Sequence, residues 1–178
     1  MRLFFALIIA LFFSTSNSHS QGDMIELRIA TDDTMVTNKN SRIKLNAVIL
    51  NQGSDPAAIL KHNEFSSSSN PTFYWLFEIK YKNKETMITE DGYLNKARSY
   101  NKGDYFKLKP KQRHAITFEI DFSKLVKWDS DKELPDFTRA NREYGEYTIK
   151  LLYIDRYKKH PDNVTKLNSN TIKVFYNK

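Results

Sequence analysis

Few residues of this chain have the types and spacing that catalysis or metal binding requires. Its 178 residues include no cysteine, five glycines and four histidines. Three of the histidines lie beyond the first twenty residues, and each directly follows a lysine or arginine: His62, His114 and His160. Because a neighbouring cation disfavours binding of another cation, these positions predict solvated loop histidines. The sequence also lacks Gly-x-Ser-x-Gly, His-Glu-x-x-His and phosphate-loop motifs, so we expect no enzyme activity, no metal and no cofactor.

Two acidic segments are the remaining candidates for chemistry, Thr31-Asp32-Asp33 and Asp129-Ser130-Asp131. The second begins like a calcium loop, but the glycine and the bidentate glutamate of such a loop do not follow. Turn and capping roles account for both segments. Two carboxylates at a suitable separation could also form a glycosidase site, although nothing in the sequence selects a particular pair.

Basic and aromatic residues are more informative. The chain carries 28 lysines and arginines against 21 aspartates and glutamates, a net charge of +7. Ten of the cations lie between residues 80 and 113, three more lie between residues 156 and 159, and tyrosines are interleaved with both groups. Such a surface suits an anionic glycan, phospholipid headgroups or an acidic protein. The alternative is a solvated face that resists aggregation, with nearby aspartates and glutamates diluting the positive field.

The first twenty residues have the layout of an export signal. Arg2 precedes an apolar run, Leu3–Phe13, and a polar segment of small residues follows it. The run is too short to span a bilayer comfortably, and Ser18 and Ser20 occupy the −3 and −1 positions of a cleavage site. We therefore expect a signal peptide over residues 1–20, one domain over residues 21–178, and a secreted or periplasmic product that does not meet nucleic acid.

The elements that must position these residues are strands. Apolar residues alternate with a period of two in six segments, 25–30, 43–49, 73–81, 116–122, 147–153 and 172–176, and a weaker strand is predicted over 104–109. Turn signals separate the segments. The pattern predicts an all-β fold, an antiparallel sandwich of about seven strands with long inserted loops at 61–72 and 123–144. A short helix is predicted near residues 137–143.

Two aromatic residues refine this prediction to an immunoglobulin-like sandwich. Trp75 lies on the inward face of the third predicted strand, where such folds bury a tryptophan. Tyr147 opens a strand in the segment Tyr144-Gly145-Glu146-Tyr147, which is the place of a tyrosine corner.

Four segments resemble secreted bacterial immunoglobulin-like domains: Ile43–Ser54, Leu108–Gln112, Gly145–Ile149 and the final strand. They contain a strand that ends in asparagine and a small turn, a Leu-x-Pro step before a strand, and a Gly-x-Tyr start of a strand. The BsuPI proteinase-inhibitor family is similar in the same elements. The resemblance implies the fold and assigns no functional residue.

These observations predict a secreted or periplasmic, non-catalytic binding module that recognises a protein or an anionic envelope polymer, with peripheral contact to a membrane surface as a further option. The candidate contact residues lie in the basic and aromatic region and in the long loops: Tyr100, Lys102, Tyr105, Lys107, Trp128 and Arg142. Trp128 could instead plug one end of the sandwich. The alternative function is a carbohydrate-binding module or a small glycan-acting enzyme, which would need exposed coplanar aromatic rings or a carboxylate pair in a cleft.

Overall fold

The computed structural model describes residues 24–61, 75–82, 86–89, 101–127, 140–155 and 158–177, and eleven strands account for most of them. In chain order the strands are β1 Ile25–Ala30, β2 Met35–Thr37, β3 Arg42–Asn51, β4 Ala57–Leu60, β5 Trp75–Tyr81, β6 Thr86–Thr89, β7 Tyr105–Leu108, β8 Arg113–Asp121, β9 Leu125–Lys127, β10 Gly145–Ile154 and β11 Lys166–Asn177.

The strands form two facing sheets and a small ribbon. One sheet has the order β1-β3-β8, and the other has the order β2-β11-β10-β5-β6-β9. The pairs are antiparallel except for β2 and β11, which run parallel. β4 and β7 make a separate antiparallel ribbon. This division of the strands is that of an immunoglobulin-like sandwich, so the predicted all-β fold class is confirmed.

The core lies between the two sheets and follows the predicted alternation. Every second residue of β3 and of β10 is almost fully buried: Ile43, Leu45, Ala47, Ile49, Tyr147, Ile149, Leu151 and Tyr153. β-branched and aromatic residues fit this half-buried, pleated surface well. Trp75 packs inward from the start of β5, with its ring 4.7 Å from that of Tyr153 and 5.7 Å from that of Phe118, although its side chain keeps some exposure.

Four short strands were not predicted, and their sequences explain why. β4 is buried at all four of its residues, so it shows no alternation. β2 and β9 have only three residues each, and β6 has four. The helix predicted near 137–143 is wrong for residues 140–143, which have no helical structure, and residues 137–139 lie outside the described residues.

The predicted tyrosine corner is confirmed at the start of β10. The Tyr147 hydroxyl donates to the backbone oxygen of Glu143 at 2.8 Å and accepts from the backbone nitrogen of the same residue at 2.9 Å. Gly145 has a φ of 140°, and a Cβ built on it would lie 2.9 Å from Cε2 of Tyr81. The Gly-x-Tyr start of the strand therefore combines a backbone position that favours glycine with a buried ring that ties down the preceding loop.

The asparagine at the end of β3 has a similar structural reason. The Asn51 amide nitrogen donates to the backbone oxygens of Leu108 at 3.0 Å and Asp55 at 2.7 Å, and its amide oxygen accepts from the backbone of Gly53 at 2.9 Å. Asn51 is only 1% exposed. The strand-ending asparagine and the Leu-x-Pro step thus meet in space, and the side chain joins the end of β3 to the end of the β4–β7 ribbon.

Candidate binding surfaces at the two ends of the sandwich

The described candidate residues lie at opposite ends of β10. Arg142 precedes the strand, and Lys102, Tyr105 and Lys107 lie beside the loop that follows it. Ten residues of extended chain separate the two ends by about 30 Å. We call residues 51–61, 101–113, 155 and 158–165 the basic end, and residues 31–42, 119–127, 140–146 and 176–177 the Arg142 end.

A buried polar cluster organises the basic end. The Tyr105 hydroxyl donates to Oδ2 of Asp155 at 2.7 Å, and the Asn163 amide donates to the same oxygen at 3.1 Å. The backbone nitrogen of Lys158 lies 3.3 Å from Oδ1 of Asp155. Asp155 is 2% exposed, and these donors compensate the burial of its carboxylate. Burial, together with the hydrogen bond to Asp155, raises the pKa of Tyr105, so the phenol stays protonated and keeps donating.

Backbone hydrogen bonds seat the β10–β11 loop against β4. Ala58 donates to the oxygen of Asp162 at 2.7 Å and accepts from the nitrogen of Val164 at 3.0 Å. The Tyr153 hydroxyl accepts from the nitrogen of Leu60 at 2.9 Å. The loop and the ribbon therefore form one continuous surface, because each supplies the hydrogen-bond partners that the other needs.

His160 lies inside this loop, and the prediction of a solvated histidine is wrong there. Its side chain is buried, Nδ1 accepts from the backbone nitrogen of Asp162 at 3.2 Å, and its ring lies 5.7 Å from that of Tyr105. His114 is exposed, as predicted, but it lies on β8 rather than in a loop, with its ring 4.2 Å from that of Phe106. His62 lies outside the described residues.

Charge is distributed unequally between the two ends. The described basic end carries four aspartates, of which Asp155 is buried, and eight exposed cations: Lys61, Lys102, Lys107, Lys109, Lys111, Arg113, Lys158 and Lys159. The described Arg142 end carries five lysines and arginines and six aspartates and glutamates. The fold thus brings together two cationic groups that are far apart in sequence, and Nζ of Lys107 lies 3.6 Å from Oδ2 of Asp162.

The six predicted contact residues differ in their location and exposure. Lys102 and Lys107 are exposed at the basic end, and Arg142 is exposed at the opposite end. Tyr105 is 6% exposed, so the expectation that it contacts a partner is corrected: its ring belongs to the core and its hydroxyl is used by Asp155. Tyr100 and Trp128 lie outside the described residues. The sequence analysis assigned no contact to Asp155 or Asn163 and named Tyr144 only as part of the tyrosine-corner segment, because no local pattern marks the contacts that these residues make.

A cleft of about 330 Å³ opens at the Arg142 end. The rings of Tyr144 and Tyr176 stack there with centroids 5.6 Å apart and planes 7° apart, and the guanidinium of Arg142 lies 5.7 Å from the centre of the Tyr176 ring. Asn38 joins the two rings, since its amide nitrogen donates to the Tyr144 hydroxyl at 3.3 Å and its amide oxygen accepts from the Tyr176 hydroxyl. The cleft also contains Ser123 and Asn141.

Neither a metal site nor a membrane-spanning helix is present among the described residues. In the part of the chain that the structure describes, no three histidine, aspartate or glutamate side chains come close enough together to hold a metal ion. The same residues contain no helix with the length and apolar character needed to cross a membrane.

Comparison with known proteins adds no functional assignment. No family model and no curated protein matches the chain. Similar solved structures include a β-glucosidase from Listeria innocua in complex with glucose, at 8% identity and a TM-score of 0.45. They also include a β-glucosidase from Erythrobacter marinus, at 12% identity and a TM-score of 0.42. A third is the CARDB domain of a Pyrococcus furiosus protein, at 13% identity and a TM-score of 0.35.

The covered lengths differ among these neighbours. Each superposition covers 86% of this chain, but only 16% and 15% of the two β-glucosidases, against 94% of the CARDB domain. The chain therefore spans about one sixth of the length of the β-glucosidases. At these TM-scores the similarities support no inference about ligand or activity.

Proposed function

We propose that this protein is a secreted or periplasmic, non-catalytic binding module that recognises an anionic partner through its basic end. The observation that supports the proposal is the convergence of two sequence-distant cationic groups on one surface. Lys102, Lys107 and Lys109 come from the β7 region, and Lys158 and Lys159 come from the β10–β11 loop. A surface of one sign accelerates encounter with an oppositely charged partner and orients it.

The rigidity of the surface supports the same proposal. The Tyr105–Asp155 hydrogen bond and the contacts of Ala58 join Asp155 and the described loop residues 158–165 to the ribbon. A partner that docks there does not have to order this loop, so less conformational entropy is lost on binding. Loops carried by a rigid sandwich are a common location for recognition.

A charge-reversal pair tests the surface. Lys102→Glu with Lys159→Glu changes two exposed cations at the basic end, and Lys39→Glu with Lys44→Glu changes two exposed cations elsewhere by the same net charge. On immobilised heparin, a sulfated polysaccharide probe, we expect the first variant to elute at a clearly lower NaCl concentration than wild type. The second variant should elute close to wild type. An equal decrease in the eluting NaCl concentration in both variants would mean that net charge alone causes retention, and the proposal would be abandoned.

The nature of the partner is decided by a capture experiment with the same variants. A single envelope or extracellular protein that is retained in stoichiometric amount at high salt by wild type, but not by the Lys102/Lys159 variant, would indicate an inhibitor-type or immunity-type function. Acidic polymers that are released at high salt would indicate association with the cell envelope, because exposed charges are screened within about 10 Å at 0.1 M salt.

The proposed export is tested separately. The intact mass of the protein recovered from the periplasm or the medium should correspond to a chain that begins at Gln21, as cleavage after Ser20 requires. A product of full length in the cytoplasm would contradict this part of the proposal and leave the binding surface unaffected.

One observation favours the alternative, a carbohydrate-binding module. Tyr144 is 46% exposed beside Arg142 at the cleft. Exposed aromatic residues are a common platform for flat ligands because they offer rigid contact area at low entropic cost. This cleft is independent of the basic end, so both surfaces could operate in one protein.

A further inference from the structure

The cleft at the Arg142 end has the dimensions and the lining of a small-ligand site. Its volume of about 330 Å³ falls near the lower limit of known ligand pockets, which range from about 300 to about 1,000 Å³. It is lined by Tyr144, Arg142, Asn141 and Ser123, which carry an aromatic ring, a guanidinium, an amide and a hydroxyl respectively. A few convergent polar groups beside an aromatic wall are what orients a small polar ligand.

Arg142 provides the cationic part of the site. Within the described residues its guanidinium contacts the Tyr176 ring, with Cζ 5.7 Å from the ring centre. A guanidinium has five N–H donors in a planar fork that matches a carboxylate bidentately. The contact with the ring therefore positions Arg142 while its hydrogen-bonding groups remain suited to an anionic ligand.

Tyr144 provides a flat and rigid wall. Its ring stacks on that of Tyr176, and the Tyr176 ring is in turn nearly parallel to that of Phe122, with centroids 6.2 Å apart and planes 8° apart. Asn38 fixes the hydroxyls of both tyrosines. The exposed part of Tyr144 is thus preorganised, and a ligand that packs on it does not have to immobilise it.

We propose that this cleft binds a hexuronate, a sugar ring that carries one carboxylate. Arg142 pairs with the carboxylate, and Tyr144 packs against the C–H face of the ring. Asn141 hydrogen-bonds to its hydroxyls, and the Ser123 hydroxyl, which donates to Asp121 at 2.6 Å, accepts from one of them. A neutral sugar would leave the guanidinium unpaired, and a simple anion would not use the aromatic wall or the amide. The inference deepens the carbohydrate-binding alternative and does not depend on the basic end.

Titration of the isotope-labelled protein with glucuronate, followed by amide chemical shifts, tests the proposal. We expect a dissociation constant on the order of 1 mM, which is typical of the affinity that so small a ligand can reach. The shifts should be concentrated at Asn38, Ser123, Asn141, Arg142 and Tyr144. Glucose and acetate serve as matched probes that lack the carboxylate and the ring respectively, and each should bind at least about tenfold more weakly.

Three variants assign the roles of the residues. Arg142→Gln and Tyr144→Ala should each weaken glucuronate binding at least about tenfold, and Arg142→Lys should fall between Arg142→Gln and wild type, because it keeps the charge and loses the fork. The Lys102→Glu/Lys159→Glu variant should bind glucuronate like wild type, which separates this site from the basic end.

Several results would overturn the inference. If glucose bound as tightly as glucuronate, the site would not recognise the carboxylate. If acetate bound as tightly, the site would not recognise the sugar ring. Unchanged affinity in Arg142→Gln, or shifts confined to the basic end, would place binding elsewhere. The comparison of the three probes uses wild-type protein, so it stands even if a variant folds poorly. Failure here together with normal heparin retention would leave the main proposed function intact.

Discussion

Replacing Tyr105 by phenylalanine tests whether this residue anchors the basic end from inside or contacts a partner from outside. The substitution removes one oxygen and leaves the buried ring, including its contact with His160, in place. The lost hydroxyl donates to the carboxylate of Asp155 at 2.7 Å and accepts from the backbone nitrogen of Lys159 at 3.3 Å. The first of these bonds is the stronger one, because its acceptor is charged and buried.

The magnitude follows from the partners that remain. A hydrogen bond to a charged group contributes about 1.5–3 kcal/mol, whereas the 3.3 Å hydrogen bond from the neutral backbone nitrogen of Lys159 is long and adds less. Asp155 keeps the amide of Asn163 and the nitrogen of Lys158, so the carboxylate is not left without donors. We therefore expect Tyr105→Phe to lower the free energy of unfolding by about 2 kcal/mol.

The assay is urea unfolding of residues 21–178, followed by circular dichroism. With a denaturant slope of about 2 kcal/mol per molar, the midpoint should fall by about 1 M at an unchanged slope. A cycle with Asp155→Asn should give a coupling energy of at least about 1 kcal/mol. Heparin retention in the absence of urea should stay close to wild type, because the lysines remain in place. A loss of stability below about 0.5 kcal/mol, combined with weaker retention, would refute the buried anchor and restore Tyr105 as a contact residue.

Three further predictions concern stability. Burial opposes ionisation of Asp121, but hydrogen bonds from Ser123 and Ser41 and the charge of Arg42 outweigh it and lower its pKa to about 2 from an ordinary 3.8. A pKa that is lower in the folded than in the unfolded state stabilises the fold at every pH above the unfolded-state pKa. Asp121 should therefore contribute about 2 kcal/mol to the free energy of unfolding above pH ~4, and this contribution should be lost between pH ~4 and ~2. Acid titration of Asp121→Asn should show no such loss. Gly145→Ala should lower Tm by about 4–8 °C, because the φ of 140° and the close approach of the added Cβ to Tyr81 together cause about 2 kcal/mol of strain. An unchanged Tm in a thermal melt would contradict this. Asn51→Asp should lower the free energy of unfolding by about 3 kcal/mol, because a buried carboxylate cannot donate to the two carbonyl oxygens that the amide serves. The loss should be at least as large as in Asn51→Ala. Urea midpoints that rank the two variants in the opposite order would argue against it.

The alternation of apolar residues was sufficient to predict the long strands and the fold class. Each of the strands β1, β3, β5, β8, β10 and β11 corresponds to a predicted segment, because a period of two directly reports which face is buried. Two local motifs, the Gly-x-Tyr start of β10 and the Asn at the end of β3, also had specific structural causes. The short strands β2, β4, β6 and β9 escaped prediction, because they are too brief or too uniformly buried to show a period.

The candidate site was predicted less well, since burial of a single side chain depends on distant neighbours. Lys102 and Lys107 are exposed as the prediction required, whereas Tyr105, with an equally basic local sequence, is buried. Its orientation follows from the pairing of Leu60 with Tyr105 in the ribbon and from the carboxylate of Asp155 beyond the end of β10. Neither of these contacts is visible in the residues next to Tyr105.

The sequence by itself determined the composition, the strand faces and the presence of two cationic groups, since all of these are local properties of the chain. Only the tertiary structure decided that Lys107 and Lys159 share one end of the sandwich while Arg142 lies at the other, beside Tyr144 and Tyr176. The reason is that long-range strand pairing sets the positions of the loops, and the register of β10 with β5 and β11 depends on packing of residues from the whole chain.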